Sequence, residues 1–449
     1  MEEKEPTYEE LKTLVAALLK RVEELQAELA FYKTPKNSNN SSIPPSKDEN
    51  RIKRTQSLRE KSNKKNGGQL GHEGSTLKMS ATPDKIIRHI PDFCNDCGKD
   101  ISSIGPILHG RRQVVDIPPV APIYTQHETY SRTCSCGKLC QGEFPFYLKG
   151  PIQYGPGVET LVAYLSVRQY MPYQRISEFF NNVFELPISE GSVDNLLERF
   201  KNKVYPAYEL IKTQIEQATV VGSDETGVKI DGKKGWIWSW QNSFNTFLSV
   251  SLNRGKQTVQ ELFDKGFIKA VLISDAWAAQ LSTPCLKHQM CLAHLLREIN
   301  YLIELYPGSD WIKNLKALLK CAIELKHSML KKDHYTISPK RDEIEKRLDE
   351  LLKIPPDKND KKIITVFKRL LKNRNSIFTF LYYLNVTPDN NQSERSIRNV
   401  KVKQKVSGQF KSIKGAQTFV IIRSVIDTLI KRKLNIFHSL YKLAILDPE

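Results

Sequence analysis

No stretch of this sequence approaches the roughly 20 consecutive apolar residues that a bilayer-spanning helix needs. The N-terminus, MEEKEPTYEE, is acidic and lacks the apolar core of a secretory signal. Both absences argue against membrane and export classes, and a cytoplasmic protein is expected. Acids are scarce relative to bases: 50 Asp and Glu stand against 68 Lys and Arg, a net charge of +18 over 449 residues. The scarcity is local. Residues 33–80 hold 11 Lys/Arg and 4 Asp/Glu, and residues 395–435 hold 11 Lys/Arg with Asp427 as the single acid. Two positive segments in an otherwise nearly neutral chain suit a polyanion, most simply nucleic acid, whose condensed counterions are released on binding. No internal repeat is visible. The length allows two to four domains, each able to bury a core.

From the N-terminus, Leu11, Val15, Leu18, Val22, Leu25 and Leu29 alternate spacings of four and three, an a/d seam. Residues 1–33 are therefore expected to form a coiled-coil helix that pairs two chains, the alternative being an amphipathic helix packed on its own domain. Residues 34–80 read as a basic disordered linker, rich in Asn, Ser and Pro at first and ending in GGQLGHEG. Over 81–150, Cys94-x2-Cys97 and Cys134-x-Cys136 are each followed by Gly. Two close thiolate pairs in a cytosolic chain suit a zinc finger holding one structural Zn2+, with Cys140 as an alternative to Cys134. Cys285, Cys291 and Cys321 are scattered. Residues 151–210 carry three helical patterns with a turn at FELPIS, a helix-turn-helix-like unit that either enters a DNA groove or only packs.

Beyond residue 211 the periodicity becomes strand-like. VVGSDETGVKI, GWIWSWQ, TFLSVSL and AVLISDAWAAQ are β-branched and aromatic runs, and Asp224 and Asp275 stand at the ends of two of them. Residues 295–385 read as an all-helical insert, and residues 386–449 as basic and amphipathic helices. Within that last part Asp389 reads as a helix N-cap with Gln392 completing a capping box. Glu394, Arg398, Lys401 and Lys405 then share one helical stripe, with Arg395 and Lys403 adding charge. On the local sequence alone, an exposed Glu394–Arg398 pair at i,i+4 is the favoured explanation of the glutamate. Asp224, Asp275 and Glu394 taken together are two strand-end aspartates and one helix-borne glutamate. That is the arrangement of a ribonuclease-H-like core that handles phosphodiesters with two Mg2+ (or Mn2+) ions.

The blocks VVGSDETGVKIDGKKGWIWSW, LISDAWAAQ, HQMCLAHLLREI and PDNNQSERSIRNVKVKQKVSGQF resemble the transposases of the insertion sequence sixty-six family. The resemblance covers nearly the whole chain. It implies a multidomain α/β protein: coiled coil, zinc finger and helix-turn-helix-like unit, then a ribonuclease-H-like mixed-sheet core in 211–294 and 386–449 around the insert. The implied activity is that of a bacterial, nucleoid-associated DDE transposase with Asp224, Asp275 and Glu394 as catalytic metal ligands. It also matches Cys291 and His294 to a C-x2-H motif after the second aspartate; these two and Glu225 are expected to support the ligands. Cys94, Cys97, Cys134 and Cys136 would bind zinc, and Arg395, Arg398, Lys401, Lys403 and Lys405 would bind DNA. The implied partners are double-stranded DNA (element ends and target), a second copy of the chain and small accessory proteins of the same element. The rival readings are a ribonuclease-H-fold nuclease or resolvase without strand transfer, and a catalytically inactive DNA-binding regulator.

Overall fold

A computed structural model describes residues 7–33, 36–37, 40–41, 77–118, 120–145, 147–275, 277–329, 334 and 338–445. Most of the 34–80 segment, including GGQLGHEG, lies outside the described residues. The chain forms two compact units, Ile52–Pro122 and the remainder.

In the smaller unit the described backbone is mostly extended and carries one knuckle. The Gly98 amide donates to the Cys94 carbonyl and the Cys94 amide to the Lys99 carbonyl, both at 2.9 Å. Gly98 closes that turn at φ +71, a conformation that suits a residue without Cβ.

The larger unit begins with α1 (Tyr8–Lys33), one unbroken helix. Leu11, Val15, Leu18, Val22, Leu25 and Leu29, the predicted seam, are all exposed, at 45–56%. The expected linker behaves differently just beyond it: Asn40 is 1% exposed and its amide donates to Glu304 at 2.6 Å. A short antiparallel hairpin, β1 (Ser131–Thr133) and β2 (Leu139–Gln141), encloses Cys134 and Cys136.

Three helices follow, α2 (Pro156–Ala163), α3 (Tyr173–Phe184) and α4 (Glu190–Glu216). The Ser189 hydroxyl caps α4 by accepting from the Ser192 amide. The expected boundary at residue 210 falls inside α4, which runs on to Glu216 because Tyr208, Ile211 and Ile215 continue its buried stripe. The three-helix segment is thus continuous with the core and shares one apolar cluster with the sheet.

The sheet consists of β3 (Val220–Ile230), β4 (Lys233–Gln241), β5 (Thr246–Ser251), β6 (Phe267–Ser274) and β7 (Cys285–Met290), in the order β5-β4-β3-β6-β7. The first three strands form an antiparallel meander, while β6 and β7 run parallel to β3 and to each other. Short helices α5 (Lys256–Leu262) and α6 (Ala278–Leu281) lie before and after β6. β6 is buried on both faces: Ala270 and Leu272 join the cluster with α2–α4, whereas Val271 and Ile273 join a second one. The second cluster is the helical insert: α7 (Leu292–Leu305), α8 (Asp310–Ser328), α9 (Pro339–Lys353) and α10 (Lys361–Lys372). Three helices end the chain, α11 (Asn391–Ser407), α12 (Ile413–Lys431) and α13 (Ile436–Ile445). The first of them crosses β3 and β4.

Candidate active site

The site is built where parallel pairing stops. Ser223 on β3 pairs with Ser274 on β6, so the next residues along the two strands are Asp224 and Asp275. The structure differs here from the expected strand end. β3 continues for six residues past Asp224, paired with β4 and bridged at Ile230 to Phe410, because the GVKIDGKKGW stretch turns back as a hairpin. Residues two apart on a strand share a face, so Gly222 and Asp224 look the same way.

α11 rests on that face because Gly222 has no side chain. A Cβ built on Gly222 would lie 2.6 Å from Asn390 Oδ1 and 2.9 Å from Ser393 Oγ. In the open space Asn390 Nδ2 donates to the Ser223 carbonyl at 2.7 Å, and the Ser393 hydroxyl donates to Asn390 Oδ1 at 2.6 Å. Gln241, opposite Gly222 on β4, donates to the Ser393 hydroxyl at 3.0 Å. Asn390 and Ser393 are buried, so every partner in this chain counts. Glu394 follows directly and is thereby held over the acid end of β3.

This network corrects the expected cap. Asn390, not Asp389, occupies the N-cap position, and the Asp389 carboxylate instead accepts from the Asn391 amide at 3.1 Å. Gln392 is exposed and completes no capping box. The reason is tertiary: Asn390 gains a buried strand partner that Asp389 does not reach.

Cys291 and His294 take distinct places. Cys291 is the N-cap residue of α7, and its sulfur accepts from the Asn390 amide at 3.2 Å. The Leu292 amide donates to the Pro388 carbonyl at 2.8 Å, so the starts of α7 and α11 are tied together. Burial pushes the Cys291 thiol up to about 11, which keeps it neutral. One turn on, His294 Nε2 lies 3.8 Å from Glu394 Oε1. Arg297, on the same side of α7, donates to that oxygen at 2.6 Å. The predicted i,i+4 partner Arg398 is at 3.9 Å and 76% exposed, so the stronger partner of Glu394 is Arg297.

Asp224 feels its acidic neighbours. Burial, followed by the charges of Glu225, Asp275 and Glu394, pushes Asp224 up to about 8. Glu225 is raised mainly by burial, against the pull of Arg254. Its carboxylate accepts from Arg254 Nη2 at 2.6 Å and from Gln280 at 2.8 Å. Arg254 in turn lies 3.7 Å from the Trp277 ring centroid and 4.6 Å from that of Trp236. Beside Asp275 opens a cavity of about 230 Å3, lined among others by Lys36, Asn40, His294, Arg297 and Arg369.

The expected DNA-binding residues divide. Arg395, Arg398 and Lys405 are exposed along α11. Lys401 instead donates to the Gly227 carbonyl at 2.7 Å, fastening α11 to β3. Lys403 is partly buried, which lowers its pKa.

As a donor set, Asp224, Asp275 and Glu394 offer hard carboxylate oxygens, which fit Mg2+ or Mn2+ in kind. They are not drawn into a ligand shell: among the described residues no group of three or more His, Cys, Asp or Glu is placed to hold a metal ion. The described cysteines form no such group either. Cys94 and Cys97 lie in the smaller unit, and Cys134, Cys136 and Cys140 in the larger. The two knuckles are alike, since Gly137, at φ +84, donates to the Cys134 carbonyl at 2.8 Å. Backbone amides facing Cys94 and Cys134 lower both thiol pKa values, as thiolate ligation requires. The residues that sequence reasoning missed are Gly222, Gln241, Arg254, Gln280, Arg297, Asn390 and Ser393.

Residues 151–418, which include the whole sheet, the insert and α11, match a family model for transposases. The chain belongs to the family that this model describes, the Transposase IS66 family. Residues 2–78 match a second model, a family of unknown function (DUF6444). None of the curated proteins matches the chain. No helix among the described residues is long and apolar enough to cross a membrane.

Proposed function

We propose that this transposase binds the ends of its own mobile element, cleaves them in a divalent-metal-dependent reaction and joins them to target DNA. What supports the reading is that Asp224 and Asp275 follow the last paired residues of two adjacent parallel strands, while Glu394 stands near the start of the helix laid across β3 and β4. Such a layout would suit a ribonuclease-H-like core. Asp224, Asp275 and Glu394 would hold two Mg2+ or Mn2+ ions. Bound there, such ions would supply Lewis acidity at the phosphate and a lowered pKa for the attacking water.

The chain's own residues do the rest. Arg395, Arg398 and Lys405 present exposed cations along α11, where they can carry DNA phosphates past the acids. Asn390, Ser393 and Gln241 keep Glu394 from drifting, and Glu225, pinned by Arg254 and Gln280, backs Asp224. In the first step a P–O bond forms to water and the bond to the 3′-oxygen of the element end breaks. In the second, that freed 3′-hydroxyl attacks a target phosphate and displaces the target's 3′-oxygen. The α2–α4 segment would contribute to end binding.

Two further modules belong to this reading. Cys94 with Cys97, and Cys134 with Cys136, would each offer a thiolate pair to structural Zn2+, a role supported by the amide-lined knuckle at each pair. The exposed seam of α1 would pair two copies as a short coiled coil, so that two element ends are handled together.

The test is incubation of the purified chain with DNA carrying the element's ends. With Mg2+ the reading expects nicked 3′ ends and joined target products, both lost in EDTA. Ends bound but never cut in any divalent metal would leave only a DNA-binding regulator.

A further inference from the structure

Glu394, whose charge Asp224 feels, is itself faced by basic side chains. Arg297 reaches Oε1 at 2.6 Å, His294 approaches the same oxygen to 3.8 Å, and Arg398 lies 3.9 Å from Oε2. The Arg297 and Glu394 side chains are only 28% and 15% exposed, so their attraction is poorly screened. Arg398, largely in solvent, adds little. A carboxylate oxygen engaged by a guanidinium is a weaker ligand for a hard cation, and this fits the lack of a closed ligand group among the described residues. Arg297 also lines the cavity beside Asp275, so its guanidinium has space to move away from the glutamate.

The geometry points to Arg297 as a stand-in cation, which holds Glu394 while no divalent metal is bound and yields it when the metal enters. The role rests on the proposed metal site of Asp224, Asp275 and Glu394. Arg297 is a positioning residue: it acts through Glu394 and sets how much the last ligand costs to recruit. Its position three residues after His294 puts both groups on the α7 face that meets α11. Without Arg297 the metal-free site would keep an uncompensated acid, and the metal-loaded site would gain its ligand without breaking an ion pair.

The test is Mn2+ binding to the full chain, followed by the electron-paramagnetic signal of the free ion, together with the melting temperature with and without Mn2+. Arg297→Gln is expected to bind Mn2+ at least about ten-fold more tightly than wild type, because a unit charge a few ångström from a divalent ion is weakly screened in a partly buried site. Its metal-free melting temperature should fall, and saturating Mn2+ should raise it by more than in wild type. Arg297→Lys, which keeps the charge, should stay close to wild type. In a Glu394→Gln background, Arg297→Gln should lower the metal-free melting temperature by clearly less than it does with Glu394 present, because only a hydrogen bond to a neutral amide is then lost. Should Asp224→Asn and Glu394→Gln lose Mn2+ while Arg297→Gln binds it no more tightly than wild type, the metal site stands and the stand-in role is overturned. If Asp224→Asn and Glu394→Gln bind Mn2+ as wild type does, the metal site itself fails and takes the stand-in role with it.

Discussion

Glu394→Gln is expected to bind the element's terminal repeats about as well as wild type while losing metal-dependent cleavage. The change removes one negative charge and keeps the shape, and none of the exposed α11 cations is altered. The loss should exceed about a hundred-fold, since even groups that only support a metal ligand account for 10–100-fold. Stability moves separately. The amide oxygen introduced by the substitution can still accept from Arg297, so the start of α11 should hold. A gel-shift titration beside single-turnover cleavage separates the two effects. Equal loss of binding and cleavage would assign Glu394 to DNA contact, and undiminished cleavage would remove it from the catalytic set.

The second large effect is expected at Gly222. An alanine Cβ would lie 2.6 Å from Asn390 Oδ1 and 2.9 Å from Ser393 Oγ, contacts that cannot persist. Both partners are buried and hydrogen-bonded to β3 or β4, so they cannot swing into solvent. The start of α11 must lift from β3, at about 1–3 kcal/mol for an overpacked position. Glu394 moves with it. Gly222→Ala is therefore expected to lower the melting temperature modestly and cleavage severely, since a misplacement of about 1 Å can cost about a hundred-fold in rate. Asn390→Ala in the same protein makes room for the methyl group but removes the bond to Ser223. It should restore part of the stability and little of the activity. Full activity in Gly222→Ala alone would mean that α11 is not held by this contact.

What could be read from the sequence was what repeats at short range. The runs VVGSDE and AVLISD are β-branched and apolar because β3 and β6 are flanked by other strands and β6 is covered on both faces. The four insert helices show in their periodicity because each presents one stripe to the second core. The three acids could be selected as candidates for the same reason, since two sit where apolar runs stop and one heads a basic helix. Partners far apart in the chain left no such trace. Arg297 and Glu394 are 97 positions apart, and Asn390 and Ser223 are 167 apart. Asp389 looked like the cap because an aspartate before a helix usually is one, yet the neighbouring asparagine had the buried strand to bond. Lys401 looked like a phosphate contact because a stripe does not reveal which of its members lies over another strand's carbonyl. Asn40 falls in a composition that predicts disorder, but it is buried against Glu304. In each case a tertiary contact overrode a local rule. The glycine before SDET was the nearest thing to a signal, because an unbranched gap in a β-branched run marks a close approach.

The central claim is that Asp224, Asp275 and Glu394 act as one unit. Single-turnover cleavage of the element's ends should be measured for Asp224→Asn, Asp275→Asn, Glu394→Gln and the double variant Asp224→Asn/Glu394→Gln. The account predicts that each single change removes nearly all metal-dependent cleavage and that the double change is no worse than the singles, as for groups that work together. One single variant cleaving at the wild-type rate, or losses that multiply in the double variant, would contradict it.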